Sequence, residues 1–263
     1  MNLRILFSDL LDEFTSIVKD SPLDKLQRIK RIEIPVDYFQ FYRSVSSVYS
    51  SKIEGEDIDF DSYYKHKFLN VKYKENYTAR ADDLFKAYEF IDDKKLNLDN
   101  LNLAHSILSK NLLPENHHGV IRSNPMFVLN SDDQIEYVAA DPGIVKDELD
   151  KLFQDIDVLL NTDLNSFEVF YFAALIHLVF VKIHPYQDGN GRVARLIERW
   201  FLQSKIGEKA ASVQLEKYYF TNLKSYYSNI KKLGLEYEHL DYNQCLDFLL
   251  MTVSSIGNDP DVI

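Results

Sequence analysis

The chain has 263 residues, of which 46% are apolar and 13% aromatic, and this balance excludes a disordered or fibrous protein. The 41 acidic residues outnumber the 30 basic ones, so no overall basic surface is available for a nucleic-acid backbone. Cys245 is the single cysteine, and the N-terminus lacks a signal-peptide pattern, which predicts a cytoplasmic location. The longest apolar run, residues 167–183, is shorter than the roughly 20 residues that span a bilayer and predicts a buried helix.

Helical periodicity predicts an all-α fold that carries one small β-hairpin. An amphipathic N-terminal helix is expected over residues 3–19 and should end at Ser21 and Pro22. A serine-rich helix follows over residues 39–53, and Gly55 can end it in the left-handed conformation. Further helices are expected over residues 76–92, 100–112, 144–157, 167–183, 192–204, 212–233 and 242–256.

Between residues 126 and 139 the period changes to two, around a turn-rich segment at residues 130–133, which predicts the hairpin. An isolated strand pair is marginal in water, so we expect the hairpin to pack on the helices or to offer an edge to another chain. The chain shows no internal repeat and no low-complexity linker. We divide it into an N-terminal helical region (1–75), a central domain (76–240) and a C-terminal helix packed on the same body (241–263).

The most informative segment spans residues 184–195 and reads HPYQDGNGRVAR. Pro185 disfavours α-helical geometry at His184, so the preceding helix should end there and present an imidazole that can accept a proton near neutral pH. The Gly-Asn-Gly sequence at residues 189–191 leads into the next helix. Main-chain N–H groups at such a helix start, free of Cβ bulk at the glycines, can bind phosphate oxygens.

Arginines and a carboxylate flank this glycine-rich turn. Arg192, Arg195 and Arg199 are spaced to lie on one helix face, and at least the first two can bind phosphate oxygens. Asp188 adds a carboxylate where Mg²⁺ can bridge phosphates. A lone Gly-Asn-Gly turn is more often a plain link between helices. The whole segment, however, combines a base, an anion site, a metal ligand and guanidinium groups, as phosphoryl or nucleotidyl transfer requires.

The segment resembles the Fic-family signature His-Pro-Phe-x-Asp-Gly-Asn-Gly-Arg-x-x-Arg, with Tyr186 at the phenylalanine position. The resemblance implies that His184 deprotonates a Ser, Thr or Tyr hydroxyl of a target protein or of the chain itself. This hydroxyl would attack the α-phosphate of ATP in a protein adenylyl transfer, while Asp188 holds Mg²⁺. The residues implied in phosphate binding are Gly189, Asn190, Gly191, Arg192 and Arg195. Because the kinase-like Doc branch tends to carry lysine at the position of Gly191, AMP transfer is favoured over phosphate transfer.

A second match lies upstream, where residues 50–55 read SSKIEG. They are similar to the family's inhibitory helix motif, Ser/Thr-x-x-x-Glu-Gly/Asn, with Ser50, Glu54 and Gly55 at the defined positions. The resemblance implies that Glu54 pairs with Arg195 and denies that arginine to the γ-phosphate, so that removing the carboxylate activates the enzyme. Taken alone, so short a pattern more often marks only the C-terminus of a helix.

Two looser matches concern the substrates. Residues 119–122 and the hairpin after them resemble the Fic flap, which implies nucleotide contacts and a target protein that pairs along the hairpin. The hairpin residues concerned are Met126, Phe127, Val128 and Leu129. Tyr226 and Tyr227 resemble the tyrosine pair of the family's adenine pocket, although a plain core role is equally consistent with their sequence.

Alternatives remain open at this stage. The same pocket could work in reverse, with Glu54 directing a water that removes AMP from a modified protein. The chain could also be a non-catalytic interaction module that only binds nucleotide, and the donor could be UTP or GTP. A homodimer is left open, and neither nucleic acid nor a membrane is expected as a partner.

Overall fold

The computed structural model describes residues 1–29, 36–74, 76–129 and 132–257, so residues 130 and 131 of the predicted turn lie outside it. Over these ranges the protein is a helical bundle with one two-stranded antiparallel sheet, which confirms the predicted fold class. The strands are β1 (Phe127–Leu129) and β2 (Ile135–Val138). The helices are α1 (Leu11–Val18), α2 (Pro22–Arg28), α3 (Tyr38–Ile53), α4 (Phe60–Leu69), α5 (Ala79–Phe90), α6 (Leu98–Leu108), α7 (Val145–Leu160), α8 (Ser166–Ile183), α9 (Asn190–Ile206), α10 (Leu215–Thr221), α11 (Leu223–Lys231) and α12 (Leu246–Ser254).

Helix α8 is the centre of the core. It begins with a capping box, in which the Asn165 side chain accepts the N–H of Glu168 and the Glu168 carboxylate accepts the N–H of Asn165. Helices α1, α7, α9 and α12 pack around it and bury its apolar residues on nearly all sides. Within the described ranges it alone is long and apolar enough to cross a membrane, but 83% of it is buried inside the protein, as the sequence predicts for a core helix.

The predicted helix over residues 3–19 is wrong in its first half, because α1 begins only at Leu11. The carboxylate of Asp155, buried on α7, accepts three main-chain N–H groups from the N-terminal segment at 2.7 to 2.8 Å. These amides are therefore satisfied by a side chain and not by helical hydrogen bonds. They belong to Arg4, Ile5 and Leu6.

Three other differences concern short helices. Ser21 and Pro22 begin α2 rather than end α1, since the Ser21 side chain accepts the N–H of Asp24 and proline takes the first helical position. The tyrosine- and lysine-rich segment after α3 forms α4, which shows little apolar periodicity and was not predicted. The predicted helix over residues 212–233 is two helices, α10 and α11, which are separated at Asn222.

The hairpin rests on the helical body at one end, as predicted. Val138 donates its N–H to the carbonyl oxygen of Leu235 at 2.8 Å. The hydroxyl of Tyr137 donates to the carbonyl oxygen of Lys182, near the end of α8, at 2.7 Å. Three apolar side chains of the strands are nonetheless about half exposed, namely Phe127, Leu129 and Ile135.

Helix α3 presents small side chains to its neighbours. Its five serines are all buried, and their size lets α3 pack against α5, α9 and α10. The helix ends at Ile53 as predicted, and Gly55 follows in the left-handed conformation with φ of +83°. The main hydrophobic core draws on all three predicted regions of the chain, from Leu6 to Val253, while their exact division stays a prediction.

Candidate active site

His184 lies where α8 ends. The helix stops at Ile183, and His184 takes the left-handed conformation with φ of +54°, consistent with the exclusion of α geometry by Pro185. Its Nδ1 lies 3.1 Å from the carbonyl oxygen of Val181, and only a protonated nitrogen can donate there, so Nε2 is left as an acceptor. Burial lowers the pKa of His184 to about 4. The ring is therefore neutral at pH 7 and able to accept a proton.

Arg122 holds the segment that carries His184. Its guanidinium, on a side chain that is almost fully buried, donates to four main-chain carbonyl oxygens. These belong to His184 at 2.7 Å, Asn124 at 2.8 Å, Ala140 at 2.6 Å and Ile183 at 3.3 Å. The sequence placed Arg122 only in the flap motif. The structure shows it as the residue that fixes the end of α8 against the flap.

Asn190 closes the loop between α8 and α9. Its Oδ1 accepts the N–H of Tyr186, and its Nδ2 donates to the carbonyl oxygen of Tyr186, both at 2.8 Å. The side chain is buried and shapes the loop, while the phosphate contact implied by resemblance stays a prediction. Gly189, just before it, has φ of +80°, a conformation that favours glycine.

His105, on α6, holds the same loop from the other side, although sequence reasoning left it without a role. Its ring stacks on that of Tyr186, with centroids 3.7 Å apart. Nδ1 accepts the N–H of Gly119 at 2.8 Å, so Nε2 carries the proton and donates to the carbonyl oxygen of Asp188 at 3.1 Å. His105 thus links the flap to the loop. An isolated histidine offered no signal of this in the sequence.

Acid should weaken the folded state through His105. Burial lowers its folded pKa to about 4 from the ordinary histidine value of 6.5, so the unfolded chain takes up the proton first as the pH falls. The contribution of neutral His105 to the free energy of unfolding is present above pH 6.5 and is lost progressively as the pH falls toward 4. Between about pH 6.5 and about pH 5, the free energy of unfolding should fall by about 2 kcal/mol less in His105→Gln than in the wild type. Denaturant unfolding at each pH measures this difference. The control is His239→Gln, at an exposed site, which should keep the wild-type dependence of unfolding free energy on pH. An equally steep dependence in His105→Gln would contradict the prediction.

Asp188 is exposed, and its Oδ1 accepts the N–H of Gly189 at 2.6 Å. The described part of the chain contains no group of three or more His, Cys, Asp or Glu residues that could hold a metal ion. Mg²⁺ commonly binds through one or two carboxylates together with waters and substrate phosphates. Asp188 therefore fits a metal that is shared with a bound nucleotide, and not a cage made by the protein alone.

The contact between Glu54 and Arg195 expected from the motif is present. The buried Arg195 donates from Nη2 to Glu54 Oε1 at 2.6 Å and from Nε to Ser50 Oγ at 2.9 Å. A Cβ placed on Gly191 would lie 2.5 Å from the same Oε1, so the carboxylate sits directly on the first turn of α9. Burial by itself raises the pKa of Glu54, but the charges of Arg195 and Arg192 outweigh it, and the pKa lies below its usual value. Glu54 is thus an anion in the place predicted for a phosphate.

The other two arginines of α9 have different partners. Arg192 forms a short ion pair with Glu56, a residue that the sequence analysis did not single out. Arg199 donates to Glu216 at 2.8 Å within a buried cluster that includes Ser46 of α3. Arg192 and Arg195 therefore pair with carboxylates that follow α3, whereas Arg199 is engaged in the core.

A cavity of about 440 Å³ opens between the hairpin, α11 and the end of α8. It brings together half of the site residues singled out from the sequence. The other half lie outside its lining, namely Ser50, Gly55, Met126, Phe127, Asp188, Gly189, Asn190 and Arg192. The site residues that line it are Glu54, Val128, Leu129, His184, Gly191, Arg195, Tyr226 and Tyr227. Its walls thus contain the neutral base, one motif arginine with its carboxylate, and aromatic surface suited to a planar base.

Tyr226 borders this cavity but is almost completely buried, and its hydroxyl supports Arg195. It accepts from Arg195 Nη1 at 3.3 Å and donates to His177 Nε2 at 3.0 Å. Burial lowers the pKa of His177, and the neutral ring donates from Nδ1 to Glu198 at 2.6 Å. His177 is thus a core residue that also supports Tyr226. Tyr227, at 37% exposure, is the more accessible of the two tyrosines.

We expect Tyr226→Phe to lower the free energy of unfolding by about 1–2 kcal/mol, because Arg195 Nη1 and His177 Nε2 lose a partner in a dry interior. Denaturant unfolding measures this loss. The control is Tyr227→Phe, which removes a hydroxyl that donates to the carbonyl oxygen of Ile53 from a partly exposed ring. It should cost no more than about 0.5 kcal/mol. Equal losses in the two variants would show that the Tyr226 hydroxyl does not support Arg195.

Comparison with known proteins gives a consistent answer. Residues 95–202 match the sequence profile of the Fic/DOC family. A Fic family protein from Desulfovibrio desulfuricans G20 has a similar structure, with a TM-score of 0.73 and 16% identity, over 97% of this chain and 74% of that one. A Fic domain containing signaling protein from Bacteroides thetaiotaomicron VPI-5482 gives 0.67 and 16%, over 94% and 91% of the two chains. Fic-1 from C. elegans gives 0.58 and 16%, over 95% and 71%. No curated protein matches the sequence.

Proposed function

Because the chain belongs to the Fic/DOC family, whose domain covers residues 95–202, we propose that it is a protein adenylyltransferase held inactive by its own Glu54. Nucleotidyl transfer from ATP is supported at the level of the family. The observation that carries the finer assignment is the cavity in which a neutral His184 and Arg195 lie together, with Glu54 on the first turn of α9.

The reaction follows from the atoms that the site presents. Nε2 of His184 accepts the proton of a target Ser, Thr or Tyr hydroxyl. The hydroxyl oxygen then forms a bond to the α-phosphorus of ATP, while the bond between that phosphorus and the bridging oxygen of the β-phosphate breaks. AMP stays on the target oxygen and pyrophosphate leaves. Arg192, Arg195 and the N–H groups at the start of α9 bind the developing charge on the phosphates.

The residues around the base have separate tasks. Arg122 holds the main chain on both sides of His184, and Asn190 and His105 hold the loop that leads to the phosphate site. Mg²⁺, held by Asp188 together with the phosphates, would neutralise their charge and orient them. The protein itself thus contributes mainly position and electrostatics, as is usual in phosphoryl and nucleotidyl transfer.

The absence of a side chain at Gly191 supports transfer of AMP over transfer of phosphate. A Cβ at this position would meet the Glu54 carboxylate at 2.5 Å, so the carboxylate would have to shift away from α9 if residue 191 were not glycine. The lysine that the Doc branch tends to carry would have to share this space with Glu54. The contact between Glu54 and the first turn of α9 therefore supports an adenylyltransferase over a kinase.

For the target protein we propose docking along the hairpin. Phe127, Leu129 and Ile135 leave apolar surface exposed on a two-stranded sheet, and strand edges of this kind can pair with an extended segment of another protein. The target residue would then lie beside the cavity that Val128 and Leu129 share with His184.

The reverse reaction is a second candidate, because Glu54 and His184 line the same cavity. With Arg195 bound to phosphate, the freed Glu54 carboxylate could orient a water against a protein-bound AMP. The two directions predict opposite effects of Glu54→Gly, since it would increase AMP attachment and abolish AMP removal.

The test uses ATP labelled at the α- or the γ-phosphate with Mg²⁺, a pool of candidate target proteins, and the wild-type and Glu54→Gly proteins. We expect protein-bound label from the α-phosphate only. Label from the γ-phosphate would show a kinase. ATP binding without any covalent label, together with no release of AMP from modified protein, would leave a nucleotide-binding module and overturn the proposal.

A further inference from the structure

The carboxylate of Glu56 occupies Arg192, just as that of Glu54 occupies Arg195. Glu56 Oε1 forms a short ion pair with Arg192 Nη2. The side chains of Arg192 and Glu56 are 5% and 18% exposed, so solvent screens this pair far less than a surface pair. Each arginine that the proposed mechanism assigns to ATP phosphates thus already carries a carboxylate from the segment after α3.

A single main-chain turn at the end of α3 positions the carboxylates of both Glu54 and Glu56. At the end of α3 the N–H of Gly55 donates to Lys52 and that of Glu56 donates to Ser51, at 3.0 and 3.2 Å. This is the hydrogen-bond pattern of a Schellman motif, which needs the left-handed conformation that Gly55 adopts. The chain therefore reverses at Gly55, and Glu54 and Glu56 reach neighbouring arginines on the first turns of α9.

Glu56 has a second partner outside the phosphate site. Its Oε1 lies 3.5 Å from Nη1 of Arg80, on α5, whose side chain is about half exposed. If a phosphate takes over Arg192, Glu56 keeps an ion pair with Arg80 and is not left as an unpaired, partly buried charge. Displacement of Glu56 from Arg192 by a phosphate therefore costs less free energy than it would if Glu56 had no other partner.

We propose that Glu56 is a second inhibitory carboxylate, which competes with ATP phosphates for Arg192 and stays paired with Arg80 when nucleotide binds. This inference rests on the proposed function, since it assumes that Arg192 binds a phosphate of ATP. Inhibition is then shared between two carboxylates, and removal of Glu54 alone leaves Arg192 still occupied. Glu56→Gln and Glu54→Gly should accordingly strengthen ATP binding through different arginines.

The experiment is calorimetric titration with ATP, ADP or AMP and Mg²⁺, in a His184→Ala background that prevents turnover. We expect Glu56→Gln to tighten ATP binding about tenfold, because the phosphate no longer displaces a charged partner of Arg192. AMP has no β- or γ-phosphate, so its affinity should stay unchanged. Arg80→Met should weaken ATP binding about threefold, because it removes the alternative partner of Glu56.

Asp57→Asn is the matched control, since it removes the same charge at the exposed neighbouring position and should leave the Kd for ATP unchanged. The inference is overturned if Glu56→Gln leaves the Kd for ATP unchanged or raises it, or if Asp57→Asn tightens binding equally. When Glu54→Gly tightens ATP binding and Glu56→Gln does not, the inference fails while the proposed function stands. When no variant binds ATP, the proposed function fails and the inference falls with it.

Discussion

Glu54→Gly should raise the rate of AMP transfer about ten- to a hundredfold over wild type at subsaturating ATP. In the resting protein Glu54 occupies Arg195 at 2.6 Å and lies on the first turn of α9, so a phosphate must displace a charged hydrogen-bond partner before it can bind. Such a bond contributes about 1.5–3 kcal/mol, which corresponds to the expected factor. Initial rates with α-labelled ATP, measured over a range of ATP concentrations, give the effect on kcat/KM.

Two comparisons separate loss of charge from loss of structure. Glu54→Gln keeps a side chain that can still contact Arg195 but has no charge, so its activity should fall between wild type and Glu54→Gly. Glu54 caps the end of α3, and a glycine there can loosen the helix terminus, so thermal unfolding of both variants has to accompany the kinetics. If both folded variants transfer AMP at the wild-type rate, Glu54 is not an inhibitor, whatever its contact with Arg195.

The sequence was most informative where a local rule determines the backbone. Pro185 indicated the end of α8 at Ile183, and Gly55 indicated the end of α3. Each of these rules depends on residues within a few positions of one another. For the same reason the base and the phosphate turn could be predicted together, since both belong to one continuous segment.

Features that depend on distant partners could not be predicted in this way. Residues 3–19 carry a helical stripe, but the Asp155 carboxylate on α7 binds the amides that a longer helix would have used. Arg199 continues the face of Arg192 and Arg195 in sequence, yet it pairs with Glu216 in the core. His105, Arg122 and Glu56 act through contacts with residues far away along the chain. No spacing rule marks such residues.

The site residues also show how a motif and its structure can differ. The motif assigns the side chain of Asn190 to phosphate, whereas the structure uses both of its polar atoms to close the loop at Tyr186. Tyr226 belongs to the pair expected at the adenine, but its hydroxyl joins Arg195 to His177. In both cases the polar atoms of the side chain position another group, and the contact with nucleotide stays a prediction.

His184→Ala should lower the rate of AMP transfer about 10²- to 10⁴-fold in the Glu54→Gly background, because a positioned general base contributes a factor of this size. ATP binding, measured by calorimetry, should change little, since the phosphates are held by arginines and main-chain amides.

The pKa of about 4 for His184 adds a test by pH, because activity requires the neutral ring and is lost only as the pH falls toward that value. The value of kcat/KM should therefore not fall through protonation of His184 between about pH 8 and about pH 6, whereas a histidine with an ordinary pKa would already lose activity there. His239→Ala, which changes an exposed histidine, is the control; transfer that persists in His184→Ala would mean that another group removes the proton.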